Sequence, residues 1–238
     1  MSPKSKKSKG SLPFVIIGLV LVGVTVAVVL MSRPGGTNSP ARQSTAANLP
    51  QQPQQPRSPQ PGASNPWSKG GTTAAVTVEE FSDFQCPACG NLAPGLRRVI
   101  DEYGDRVQLI FRNFPLQMHK YAFQAARAAE AAGQQGKFWE MHDVLYERQK
   151  EWSESMEPRV QFDSYATRLG LDVQKFKADM ERQDIAERIR ADMTRGNSLN
   201  VRGTPTVHLN GRELVPGKLV TEEDLRREIG VALGPAGK

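Results

Sequence analysis

Ala74-Ala75-Val76-Thr77-Val78-Glu79-Glu80-Phe81 leads through Ser82-Asp83-Phe84-Gln85 into Cys86-Pro87-Ala88-Cys89, and Leu92 to Tyr103 follows. The first segment reads as a strand and the last as a helix. The turn between them holds both cysteines of a 238-residue chain. Two cysteines placed at random fall three apart roughly one time in a hundred, so the spacing is a signal. A dithiol on a strand-to-helix turn is what thiol–disulfide exchange requires. Cys86 stands at the expected helix N-terminus, where unpaired N–H groups and the positive dipole end stabilise a thiolate. It is the expected nucleophile. Cys89 lies one turn further in and is the expected resolving cysteine. Pro87 suits the first helical turn, having a fixed φ and no N–H to leave unpaired. Two competing uses of the pair fare worse. A staple across so short a loop constrains little. Zinc needs about four ligands, and His119, His142 and His208 show no paired ligand spacing.

The chain before this turn divides by composition. Residues 1–11 hold Lys4, Lys6, Lys7 and Lys9 and no acid; residues 12–31 hold no charge. At 1.5 Å per residue this nearly all-apolar stretch of twenty spans about 30 Å, a bilayer core, so 12–31 reads as a single uncleaved transmembrane anchor, with a signal peptide cleaved near Thr25-Val26-Ala27 as the alternative. The lysine-rich end stays cytoplasmic by charge bias, which puts the folded part outside, where disulfides persist. The expected location is a bacterial cell membrane, single-pass, with the domain on the periplasmic side. Residues 32–70, punctuated by proline and poor in large apolar side chains, read as a disordered tether. Residues 71–238 remain for one domain.

The net charge of +6 belongs to the first part. Residues 1–70 carry eight basic residues and no acid, so 71–238 carry 23 basic and 25 acidic residues, a net of −2. That balance argues against nucleic-acid binding.

Arg106–Phe111 alternates as a second strand. Val207–Leu209 and Glu213–Val215 flank Asn210-Gly211, a hairpin signal because a type I′ turn needs positive φ at both central residues. Thr221 before Glu222, Glu223 and Asp224 reads as the N-cap of a last helix. Between the second strand and the hairpin, residues 119–132, 137–152, 162–169, 173–180 and 185–199 show helical patterning. The alternation predicts an α/β fold. Glu80 and Glu79 fall on opposite faces of their strand, and Glu79 is expected to face solvent.

Four motifs in order make the chain resemble DsbA-family thiol–disulfide oxidoreductases of the thioredoxin fold. They are Glu80 to Cys89, Phe111-Arg112-Asn113-Phe114-Pro115-Leu116 with His119, Gly136-Lys137-Phe138-Trp139-Glu140-Met141-His142-Asp143, and Gly203-Thr204-Pro205-Thr206. The resemblance implies a thioredoxin fold with a helical insertion at about 117–199. It implies that Glu80 is a buried acid serving as proton shuttle to Cys89. It also implies that Thr204-Pro205 is a cis-proline loop facing the dithiol and binding client backbone. No cofactor is implied. The implied partners are reduced secreted or envelope proteins as clients and a quinone-linked membrane oxidase of DsbB or VKOR type for recycling. The layout shows no dimerisation domain, and a monomer is expected. Ala88 stands where strongly oxidising members have histidine, and Thr204 where they have valine, so a milder oxidant is expected. Reductase or isomerase action, and a redox-inactive chaperone on the same fold, are the alternatives.

Overall fold

The computed structural model describes residues 60–234. The expected anchor, the basic tail and most of the expected tether lie outside the described residues. Among the described residues no helix is long and apolar enough to cross a membrane.

Strand β2 (Val76–Ser82) enters helix α1 (Pro87–Tyr103), which returns through a short 3₁₀ turn to β3 (Val107–Asn113). β2 and β3 pair in parallel, from Val76 beside Val107 to Ser82 beside Asn113. The order across the sheet is β1-β3-β2-β4-β5, with β1 (Ser68–Gly70), β4 (Thr206–Leu209) and β5 (Arg212–Glu213) all added antiparallel. Asn210 and Gly211 link β4 and β5 with φ of 49° and 81°, the left-handed pair that the hairpin reading requires. β5 starts one residue earlier and is shorter than expected, ending at Glu213, although the Leu214 N–H still donates to the Val207 carbonyl at 2.9 Å. Helix α8 (Glu222–Leu233) opens on a full capping box between Thr221 and Asp224.

Val76, Val78, Val107 and Leu109 project from one face of the sheet and pack under Leu96, Val99 and Ile100 of α1 and Leu225 and Ile229 of α8. Six helices between β3 and β4 form the insertion: α2 (Ala122–Gly133), α3 (Phe138–Glu147), α4 (Gln149–Ser153), α5 (Pro158–Arg168), α6 (Val173–Glu181) and α7 (Gln183–Ser198). Seven alanines of α2 are buried around its circumference, so α3, α6 and α7 all approach it closely. Trp152 and Phe162 fill the far side of this core at 0 % exposure, with Trp152 Nε1 donating to the Leu145 carbonyl at 2.7 Å.

Two expectations need correction. The tether does not extend to residue 70. Ser68–Gly70 forms the edge strand on β3, and Trp67 stacks on Phe138 at 4.7 Å. Trp67 lies so close to Gly133 that a β-carbon there would meet its ring at 2.3 Å. One tryptophan and a backbone ladder suffice to order a stretch whose average composition reads as linker. Glu79 does not face solvent; it is 5 % exposed. A strand with neighbours on both sides and helices over both faces has no wet face. Arg195 of α7 donates to Glu79 Oε1 at 2.6 Å and Oε2 at 2.7 Å, and Arg112 donates to Oε1 at 2.7 Å. Arg112 also reaches Asp192 at 2.9 Å and the Ala63 carbonyl at 3.1 Å. This buried ionic cluster joins the sheet, α7 and the segment entering β1.

Candidate active site

Cys86 is the N-cap of α1, with Pro87 behind it, and no acid stands in the first turn to compete for the helix N-terminus. Its carbonyl accepts from the N–H groups of Cys89 at 3.1 Å and Gly90 at 3.2 Å, which closes the turn. Gln149 of α4 clamps the same turn, donating to the carbonyls of Phe84 at 2.7 Å and Cys86 at 2.9 Å. Asp83, buried just before it, accepts from the Gln85 and Leu116 N–H groups and holds His119 Nδ1 at 2.7 Å. Backbone geometry around the dithiol is thus set from three elements, two of them inside the insertion or leading into it.

The cysteines are unpaired thiols in unequal surroundings. Cys86 is 7 % exposed, and its Sγ lies 3.3 Å from the Thr204 carbonyl. Its pKa is lowered to about 5. A hydrogen bond from Cys89 is the main cause; the Thr204 side chain and the N–H groups at the head of α1 add to it against the cost of burial. Cys89 is fully buried, and burial together with the neighbouring Cys86 raises its pKa far above the ordinary thiol value. The Thr204-Pro205 bond is cis, as the resemblance implies.

Glu80 lies on the α1 side of the sheet at 1 % exposure, where burial raises its carboxyl pKa against the opposing influence of His142 and Ser82. Ser82 Oγ donates to Glu80 Oε1 at 2.8 Å and is also 2.8 Å from the Tyr146 hydroxyl. Its hydroxyl also works, as a minor influence, against the raised pKa of Cys89. His142, 7 % exposed, sits in an aromatic box with ring centroids of Phe111 at 5.1 Å, Tyr146 at 5.0 Å and Trp139 at 5.2 Å.

All five residues expected at the site, Cys86, Cys89, Glu80, Thr204 and Pro205, therefore gather around one turn. Sequence reasoning missed Ser82, Tyr146 and Gln149. Ser82 had a legible signal, since it shares a strand face with Glu80. Tyr146 and Gln149 had none, because they arrive from the insertion some sixty residues away.

The thioredoxin family model matches residues 64–230. A thioredoxin-like oxidoreductase from Silicibacter pomeroyi superposes with a TM-score of 0.60 at 28 % identity, covering 72 % of this chain and 92 % of that one. DsbA2 from Pseudomonas aeruginosa gives 0.54 at 25 % identity, covering 68 % and 91 %. BdbD from Bacillus subtilis shares the fold, with a TM-score of 0.60 at 22 % identity over 72 % of this chain and 97 % of that one. Among curated sequences, the Na(+)/H(+) antiporter NhaA 3 of Salinispora tropica is 41 % identical over 145 residues, 60 % of this chain. This chain spans only about a fifth (21 %) of that protein's length. With its cis-proline loop set against a cysteine pair at the head of α1 and six helices inserted between β3 and β4, the chain belongs to the thioredoxin family, in its DsbA-like form.

Proposed function

We propose that this DsbA-like thiol–disulfide oxidoreductase acts outside the cytoplasm as a dithiol oxidase, held to the bacterial membrane by residues 12–31. The unequal dithiol carries the reading. A client thiolate attacks Cys86 of the Cys86–Cys89 disulfide. The client–Cys86 bond forms, the Cys86–Cys89 bond breaks, and Cys89 takes the electron pair and a proton from Glu80. The client's second thiolate then attacks the client sulfur and expels Cys86. A thiol with a pKa of about 5 is a good leaving group, so oxidised client departs readily. The dithiol left behind is oxidised again by a quinone-linked membrane partner of DsbB or VKOR type.

Thr204 and Pro205 border a groove of about 490 Å³ that continues past Arg202 to Lys218 and Leu219. Leu219 is 63 % exposed, which suits an extended client segment with an apolar side chain beside its cysteine.

The deciding experiment is equilibration with glutathione, followed by oxidative refolding of a reduced client. A Cys86 pKa of about 5 lies between the thioredoxin and DsbA extremes, so the potential is expected between about −270 and −120 mV. A value at the thioredoxin end, with no net oxidation of client, would show a reductase.

Linkage gives a second check. The folded pKa of Cys86 is lowered, so thiolate stabilisation is full above the ordinary thiol value of 9.0 and is lost as pH falls through about 5. The oxidised protein has no such group. The melting temperature of the reduced form is expected to rise relative to the oxidised form from pH 5 towards pH 9; a difference that stays flat contradicts the thiolate.

Glu80→Gln is expected to slow exchange by about 10²–10³-fold, within the range of a positioned acid–base group, and to flatten its pH profile. An unmoved profile removes the shuttle role.

A further inference from the structure

Glu80 must regain a proton after each transfer to Cys89, yet it is 1 % exposed beneath packed side chains. Protons do not cross a close-packed apolar layer without polar groups or water. Two adjoining cavities supply such a route. The inner one, about 20 Å³, is lined by Glu80, His142, Trp139 and Leu109, with Lys69 at its edge. That volume holds about one water. The outer one, about 60 Å³ and open to solvent, is lined by Gly90, Pro94, Tyr146 and Glu147. Ala93, Arg97 and Asp143 belong to both walls. The two cavities therefore meet at an ion pair, Arg97 Nη1 to Asp143 Oδ2 at 2.5 Å. Asp143 Oδ1 lies 2.9 Å from His142 Nδ1. Side-chain exposure falls inward along this line, from 46 % at Arg97 and 32 % at Asp143 to 8 % at His142.

We propose that His142, Asp143 and Arg97 form the gate through which Glu80 exchanges its proton with solvent. The proposal rests on the reading of Glu80 as proton carrier. Asp143 holds the Nδ1 proton of the imidazole and leaves Nε2 as the exchanging atom. When the Cys86–Cys89 bond breaks, Glu80 gives its proton through the Ser82 hydroxyl to the Cys89 thiolate and becomes a carboxylate. A solvent proton then reaches it through the imidazole and the cavity water. Re-oxidation of the dithiol sends the same proton out. The groups around Glu80 and the inner cavity are His142 and Asp143 from α3, Arg97 from α1, Lys69 from β1 and Ser82 from its own strand, with Tyr146 of α3 next to Ser82 and facing Cys89 and Asp83 as well. Two polar lines lead from this cluster to the outer cavity: Glu80 through Ser82 to Tyr146, with both contacts at 2.8 Å, and His142 through Asp143 to Arg97 along the wall that the two cavities share. Burial raises the Asp143 carboxyl, but His142 and Arg97 outweigh it and keep the group ionised as a fixed anchor. These three act through Glu80 and are positioning and relay residues.

The test uses the full-length protein and a reduced model peptide, with exchange rates measured from pH 5 to 9 in H₂O and D₂O. His142→Gln is expected to slow exchange about tenfold and to enlarge the solvent isotope effect. Added imidazole, admitted by the outer cavity, should restore the rate. Asp143→Asn, nearer the surface, should show a smaller loss of the same kind. Because the route runs through Glu80, His142→Gln should add nothing to Glu80→Gln. Equal losses in both backgrounds, or a wild-type isotope effect in both His142→Gln and Asp143→Asn, overturn the gate. If instead Glu80→Gln itself leaves the pH profile unmoved, the shuttle reading has failed and takes the gate with it.

Discussion

Cys86→Ala is expected to reduce exchange to the uncatalysed background, while Cys89→Ala accumulates a mixed disulfide with client. The two outcomes differ because the two sulfurs do. Cys86 is nearly buried but keeps 7 % exposure, sits beside Thr204, and has a pKa of about 5, so it meets the client. Cys89 is at 0 % exposure with its pKa raised, so its task is internal: it resolves the bond that Cys86 has formed. Without it the adduct has no intramolecular exit. Non-reducing electrophoresis after mixing with reduced client separates the cases. Retained oxidative refolding in Cys86→Ala would leave only the chaperone reading of this fold.

Glu79→Ala should destabilise the domain by about 3–5 kcal/mol, since it leaves buried guanidinium charge uncompensated. Arg112 has 6 % side-chain exposure and loses one of its two carboxylate partners, while Arg195 loses both of its contacts to Glu79. For a domain of this size that corresponds to a fall in Tm of roughly 10 °C. Urea unfolding gives the free energy directly. A loss under about 1 kcal/mol would mean that water reaches the cluster. The pH dependence has a definite sign. Burial raises the Glu79 carboxyl, but Arg195 and Arg112 outweigh it, so its pKa is lowered. Its contribution is full above the ordinary value of 4.5 and fades as pH falls below it, so wild type and Glu79→Ala should converge in acid. Where the variant is folded it should retain exchange, because Glu79 lies on the sheet face opposite Glu80.

These two predictions lie at different depths of legibility. The Cys86–Cys89 turn, the β2-α1-β3 unit, the Asn210-Gly211 hairpin and the Thr221 cap follow from residues adjacent in the chain. Each depends on a local preference: φ at a turn, an N-cap hydroxyl, alternation along a strand. Glu80 was legible from the family resemblance and its place on the strand. The neighbouring acid was misread, because alternation separates two faces without telling which of them is wet.

Local chemistry in the sequence thus determined that a dithiol heads a helix beside a strand-borne acid, and the family resemblance added that a proline loop returns to meet it. Tertiary structure decided how those parts are tuned. Packing of α7 over the second sheet face turned Glu79 into the centre of a buried ionic cluster. Trp67, seated on Gly133 and Phe138, drew Ser68–Gly70 out of the expected tether and into the sheet edge. The insertion brought Gln149 to the turn, Tyr146 to Ser82, and His142 with Asp143 to the cavity beside Glu80. The physical reason is the same each time: burial and pKa depend on what covers a group, and the covering residues are distant in sequence.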